Sequence, residues 1–343
     1  MTTLLAWVLL SSALGVGFRR LEDGAVAVLL TIVFLVAGVG CLVTACVAVV
    51  RATRRWRRLV LLPWVVALLV GVYSLSIALA ATFPPHPAPA AGPAGAESVS
   101  MIAADGTRLS GWFLPGTNGA AVALRHGAGS TAGATTAHAQ VLHEAGFGVL
   151  ATDARGHGGS DGRGMDFGWF GEDDIRAAVD HLSARSDVDP ERIGVVGLSM
   201  GAEEAIGAAG MDPRIRSVVA EGATGRTAGD KDWLPEEYGF AGTVQQGLDA
   251  MTYAIIGVLT PADRPATLAR SVRASSSARF LLVAAGTVPD EQHVADRLAA
   301  IGPGRVRTWT VERAEHVGAL SADPAGWTTR VVNFLNETLT PPR

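Results

Sequence analysis

Residues 97–343 predict an α/β fold, a mostly parallel sheet with helices on both faces. Two observations carry that prediction. Short runs rich in Val, Ile and Leu alternate with segments of helical period from Glu97 to Leu339. The strand runs are apolar at consecutive positions, as in GAAVAL (119–124) and RIGVVG (192–197). A strand apolar throughout is covered on both faces, the condition of a parallel sheet between helix layers. A third observation sets the first 82 residues apart. They hold three long uncharged runs, which raise the chain to 49 % hydrophobic and a mean hydropathy of +0.30.

Those runs are 1–18, 24–50 and 59–82. A helix of roughly 20 apolar residues crosses a bilayer, so three transmembrane helices are expected over 1–82. Run 1–18 also has the length of a cleaved signal peptide, but lacks a basic n-region and a clear A-x-A site. Arg51, Arg54, Arg55, Arg57 and Arg58 fill the loop between the second and third runs. The positive-inside rule places that loop in the cytoplasm and everything after residue 82 outside. The expectation is a multi-pass cell-membrane protein with an extracytoplasmic C-terminal domain. Its first partner is the lipid bilayer, and the basic loop suits anionic headgroups. Residues 83–96, FPPHPAPAAGPAGA, contain five prolines and no charge, which predicts a semi-rigid linker with His86 solvated.

Within 97–343, Glu97 to Pro115 reads as a hairpin turning at Asp105-Gly106-Thr107. Strands are expected at 119–124, 147–153, 192–197, 215–220, 280–285 and 306–311. Helices are expected at 130–144, 172–185, 200–209 and 327–339. The second of these places Ile175, Ala178, Val179 and Leu182 on one face. About 60 residues between strands 215–220 and 280–285 exceed any ordinary connection. They are expected to form a cap over about 222–278, with Trp233, Tyr238, Phe240, Met251, Tyr253, Ile255, Ile256 and Leu259.

Charge divides as hydropathy does. The net −4 splits into +5 over residues 1–96 and −9 over the rest. An acidic domain gains nothing from phosphate backbones, so nucleic acid is excluded as a partner. Both cysteines, Cys41 and Cys46, lie in the second apolar run, which leaves the domain without a thiol nucleophile, disulfide or cysteine metal site.

The chemistry centres on Gly197-Leu198-Ser199-Met200-Gly201, between a strand and a helix. A serine on such a turn presents its hydroxyl, and flanking glycines remove Cβ clashes. The helix N-terminus favours a developing oxyanion. Arg125-His126-Gly127-Ala128-Gly129 follows strand 119–124. Asp153-Ala154-Arg155-Gly156-His157-Gly158-Gly159-Ser160 follows strand 147–153. Glu315-His316-Val317-Gly318 follows strand 306–311. These segments, in this order, are similar to the alpha/beta-hydrolase superfamily over residues 97–343. The first resembles its HG oxyanion segment, the second its D-x-R-G-H-G-x-S loop, and the last the site of its histidine.

The resemblance implies a serine hydrolase working through an acyl-enzyme. Ser199 is the nucleophile and His316 its base. Backbone N–H groups of Met200 and Ala128 form the oxyanion hole; one such donor is worth about 3–4 kcal/mol in the transition state. The triad acid stays open among Asp290, Glu291 and Glu221, with Asp290 and Glu291 favoured because they follow strand 280–285. His126 and His157 shape loops. His138, His143, His181 and His293 fall on helices as surface or boundary residues, and Glu203 and Glu204 cap theirs. No cofactor and no metal ligand set is expected. The substrate is an acyl or peptide small molecule carrying an ester, thioester or amide, with no protein partner indicated.

Two other functions compete. Gly127-Ala128-Gly129-Ser130-Thr131-Ala132, with Asp153 ending the next strand, mimics a dinucleotide fingerprint and suggests an NAD(P)-binding oxidoreductase. That reading leaves Ser199 and His316 idle. The other is a non-catalytic binding or scaffold protein on the same fold, which an assembled Ser–His–acid geometry disfavours.

Overall fold

The computed structural model describes residues 2–52 and 61–339. Arg54, Arg55, Arg57 and Arg58, and the start of the run expected at 59–82, lie outside the described residues. The chain forms two compact units: one of residues 1–85 and 231–261, the other of 86–230 and 262–343.

The first unit is helical. Helix α1 (Thr2–Ser12) continues through a π turn (Ala13–Gly17) and a 3₁₀ turn (Phe18–Asp23). Helix α2 spans Ala25–Ala52 and α3 spans Leu61–Thr82. Three helical stretches here, Thr2–Leu21, Ala25–Arg51 and Leu62–Thr82, are long and apolar enough to cross a membrane. Small residues let them approach closely. A Cβ on Gly71 would lie 2.9 Å from the Trp7 ring, and one on Gly15 would lie 2.3 Å from the Ser76 carbonyl oxygen. A fourth helix in this unit comes from far down the sequence, between two strands of the other unit.

The second unit is the α/β sheet. Its strands are β1 (Glu97–Ile102), β2 (Arg108–Leu114), β3 (Ala121–Arg125), β4 (Gly148–Thr152), β5 (Ile193–Leu198), β6 (Ile215–Glu221), β7 (Arg279–Ala285) and β8 (Val306–Val311). They lie in the order β1-β2-β4-β3-β5-β6-β7-β8. The β1–β2 and β2–β4 pairs are antiparallel, and every pair from β4 to β8 is parallel. The consecutive apolar runs are the reason: β3, β4 and β5 are buried at every position and tolerate only a two-sided cover.

On one face, α4 (Thr136–Glu144) and α11 (Pro324–Leu339) share a core with alternate strand residues. Val122 and Leu124, Val149 and Ala151, and Leu281 and Val283 point to it, meeting Leu142, Trp327, Val331 and Phe334. Each such large side chain contributes about 1.5–3 kcal/mol by burial. Helices α5 (Gly171–Ser183), α6 (Met200–Ala209), α8 (Leu268–Ala274) and α9 (Pro289–Ile301) also belong to this unit. A short helix, α10 (Ala319–Ala322), precedes α11.

Two segments differ from expectation. The proline-rich stretch is not a solvated spacer from residue 86 on. His86 Nε2 and the Gly158 carbonyl lie 2.9 Å apart, and Gly158 N donates to the Pro87 carbonyl. The segment expected as a cap divides. Residues 222–230 and 262–278 stay with the sheet, while α7 (Leu234–Leu259), kinked at Gly239, packs on α3 in the helical unit.

Candidate active site

The site is built at the carboxyl ends of the parallel strands, where α/β sheets place their ligands. Between β5 and α6 the chain turns so tightly that Ser199 takes φ 54°, ψ −119°. A non-glycine residue at positive φ costs of order 1–3 kcal/mol and persists only where its surroundings impose it. The flanking glycines make room. A Cβ on Gly197 would lie 2.0 Å from the Gly201 carbonyl oxygen, and one on Gly201 would lie 2.6 Å from that of Arg125.

His316 follows β8, before Val317, whose φ of 51° is the other positive non-glycine value among the described residues. For a β-branched residue that is an outlier, and it sits beside the imidazole. His316 Nε2 lies 2.8 Å from Ser199 Oγ, and Nδ1 lies 2.6 Å from Glu291 Oε1. Glu291, in the first turn of α9, is 1 % exposed, and its other oxygen accepts from Ala285 N at 2.8 Å. The carboxylate is therefore fixed from both sides. The hydrogen-bond pattern assigns the proton to Nδ1 and leaves the Nε2 lone pair for the serine hydroxyl. Glu291 also raises the His316 pKa above its ordinary value, through their hydrogen bond and then its charge, against partial burial.

Of the three acids expected there, Glu291 bonds His316. Asp290 does not: successive helix residues point about 100° apart, and both imidazole nitrogens are already engaged. Glu221 does not either. It accepts from Ala319 N at 2.9 Å and from Trp327 Nε1 at 3.0 Å, and burial pushes its carboxyl up. Its carboxylate ties the segment after His316 to α11.

Ala128 lines the cleft beside Ser199, and Met200 is the first residue of α6. A first-turn helical N–H has no partner within its own helix, and Met200 N is such a group. His126 holds the Ala128 segment. Its Nδ1 is 2.7 Å from the Gly127 carbonyl, and its Nε2 is 2.9 Å from Ala154 N. Burial depresses its pKa to about 3, so it stays neutral. Asp153, the residue a dinucleotide reading assigns to ribose, instead accepts from Ala132 N and Gly159 N, each at 2.8 Å.

The cleft over Ser199 has a volume of about 680 Å³. Val141, Leu198, Leu320 and Pro324 give it apolar walls, with Gln140 and Glu144 among its polar residues. His138 is buried there rather than at the surface. Its ring meets Trp327 edge-on at 5.1 Å, and burial lowers its pKa to about 4.

Sequence reasoning missed what lies beneath the site. Arg125, fully buried, pairs with Glu204 at 2.7 Å and donates to Thr152 Oγ1. Asp174 sits 3.5 Å from Arg125 and 2.6 Å from Arg155. Glu203 does not cap its helix; it accepts from Thr224 N and Gly225 N. The signal was present: Arg125 ends an otherwise apolar strand, and a buried charge needs a partner.

Comparison with known proteins agrees with this fold. The family model of serine aminopeptidases of the S33 type matches residues 116–246. The esterase Pf2001 of Pyrococcus furiosus superposes with a TM-score of 0.58 at 22 % identity, over 75 % of this chain and all of that one. The chain has the alpha/beta-hydrolase fold. A puromycin-hydrolyzing peptidase of Mycobacterium tuberculosis shares this hydrolase fold at a TM-score of 0.55 and 15 % identity, over 72 % of this chain and 40 % of that one. Closer in sequence are two uncharacterized proteins. Rv2307c of Mycobacterium tuberculosis is 41 % identical over 124 residues, 35 % of this chain and 43 % of that protein. YfhR of Escherichia coli is 37 % identical over 137 residues, 38 % of this chain and 48 % of that protein. The chain thus spans less than half the length of each.

Proposed function

We propose that the protein is a membrane-anchored serine hydrolase that cleaves ester, thioester or amide bonds through an acyl-enzyme. One observation carries the reading: Ser199, His316 and Glu291 form a continuous hydrogen-bonded line at 2.8 and 2.6 Å. His316 takes the proton of Ser199 as Oγ attacks the acyl carbon, then gives it to the leaving group. Glu291 holds the tautomer and stabilises the imidazolium. Met200 N and Ala128 N receive the oxyanion. Water then attacks the acyl-enzyme, with His316 as base again. The cleft of about 680 Å³ suits a small acyl or peptidyl group. An esterase and a peptidase among proteins of this fold support the reaction class.

The anchor is the set of three apolar stretches. With the arginine-rich loop inside, the catalytic unit faces outward.

A fluorophosphonate probe tests the chemistry. Wild-type protein is labelled and Ser199→Ala is not. Folded wild type that resists the probe overturns the reading in favour of a non-catalytic protein on this fold.

A further inference from the structure

Helix α7 interrupts the sheet unit between β6 and β7 and packs on α3. The chain segments before and after it meet at Asp230 and Leu268. The Asp230 carboxylate accepts from Leu268 N at 2.7 Å on one oxygen, and from Thr227 N and Thr227 Oγ1 on the other. Residues 231–261 thus lie within an excursion whose stems touch at Asp230 and Leu268.

The helix beyond the kink at Gly239 is inside out. Its exposed residues are Phe240, Ala241, Thr243, Val244, Gly247, Ala250, Ala254, Gly257 and Val258. None is charged, and Thr243 is the one hydroxyl; its Oγ1 bonds back to the Gly239 carbonyl. Phe240 is 83 % exposed and Val258 84 %. The polar residues are withdrawn. Gln245 donates to Asp249 at 2.8 Å, both half-buried, and Thr252 is buried with its hydroxyl on the Leu248 carbonyl. A helix facing water carries its charges outward. This one has the pattern of the outer surface of α2, where Val26, Leu29, Ile32 and Val36 are exposed.

We propose that α7 is a lipid-facing helix, an intramembrane element inserted into the hydrolase sequence, with Phe240, Val244 and Val258 against acyl chains. This rests on the membrane anchoring proposed above. Lipid is the fitting occupant because α7 packs on α3, one of the apolar stretches, which itself exposes Leu62, Val66 and Leu69. Such stems make the excursion enter and leave the apolar layer on the same side, as a monotopic helix does. The three predicted spans therefore understate the membrane contact.

The test uses full-length protein in liposomes with Cys41 and Cys46 replaced by alanine. Single cysteines (Phe240→Cys, Val258→Cys) carry an environment-sensitive fluorophore, quenched by nitroxide-labelled lipids. Val36→Cys on α2 and Met211→Cys, exposed on the sheet unit, are the references. The expected result is quenching at 240 and 258 like that at 36, with 211 unquenched. Quenching at 36 but not at 240 or 258 overturns this proposal and leaves the anchoring intact. No quenching at 36 overturns both.

Discussion

At the scale of single residues, the site depends on two backbone positions held in strain, Ser199 and Val317, and on one buried carboxylate. Glu291 makes its sharpest prediction through pH. A base works when unprotonated, and Glu291 holds the His316 pKa above its ordinary value. Activity therefore rises with pH through that raised pKa. In Glu291→Gln the negative charge is gone, so the His316 pKa falls and the acidic limb moves to lower pH. Turnover falls as well, by about 10⁴-fold where the loss of a triad acid leaves the wrong tautomer. The pH dependence of kcat/KM for an activated ester, wild type against Glu291→Gln, measures both. Asp290→Asn, altering the neighbour on α9, leaves the pH profile in place. Why the sequence left these acids unresolved is also a matter of single residues. Both follow β7 within the reach of a loop, and a one-residue step decides which carboxylate turns under Ala285 N.

At the scale of elements, the strand–turn–helix around Ser199 was legible because its apolar run, its glycines and its helix start coincide within a dozen residues. The strands and the four expected helices of the α/β unit fell within a few residues of expectation for the same reason, that local pattern and global cover agree, whereas α8, α9 and α10 were not given bounds. The packing beneath was not legible. Arg125, Glu204, Asp174 and Arg155 come from β3, α6, α5 and the loop after β4, and no local period joins them. Their arrangement predicts an asymmetric response. Arg125→Met leaves Glu204 buried without its 2.7 Å partner, and removing one member of a buried pair costs about 3–5 kcal/mol. Arg125→Met with Glu204→Leu removes both charges and recovers part of that loss. Thermal unfolding of the two variants measures the difference. Gly201→Ala acts on the same element from above. Its methyl meets the backbone carbonyls of Arg125 and His126 at 2.6 and 2.7 Å, which the side chains around it do not relieve. The segment carrying Ala128 must shift, at about 1–3 kcal/mol of overpacking. Probe labelling at Ser199 then falls further than the melting temperature alone accounts for.

At the scale of the whole molecule, the sequence places an apolar front before an α/β unit, and the structure recruits a third piece to the front. The length of the 222–278 segment marked an insertion, but nothing local marked its partner. Its 231–261 part packs on α3, with Ser74 and Leu248 in contact across 174 residues of chain. Its packed side includes Met251, which lines a small cavity with Trp7, Trp64 and Gly71. Membership of the helical unit, rather than of the sheet, has a direct consequence for dissecting the protein. A chain beginning at His86 retains α7 but loses α3, against which α7 packs. It then exposes the packed face, with Tyr253 and Ile256, in addition to Phe240, Val244 and Val258. A contiguous apolar face of that kind on a soluble protein drives association. The His86 chain is therefore expected to oligomerise or to require detergent. The same chain with residues 231–261 replaced by a short Gly/Ser linker is expected to be monomeric. Asp230 and Leu268 already hold the stems together, so a short linker closes the gap at little entropic cost. Light scattering after size exclusion distinguishes the two forms. Fluorophosphonate labelling of the monomeric one reports whether Ser199, His316 and Glu291, all within the sheet unit, keep their geometry without the helices.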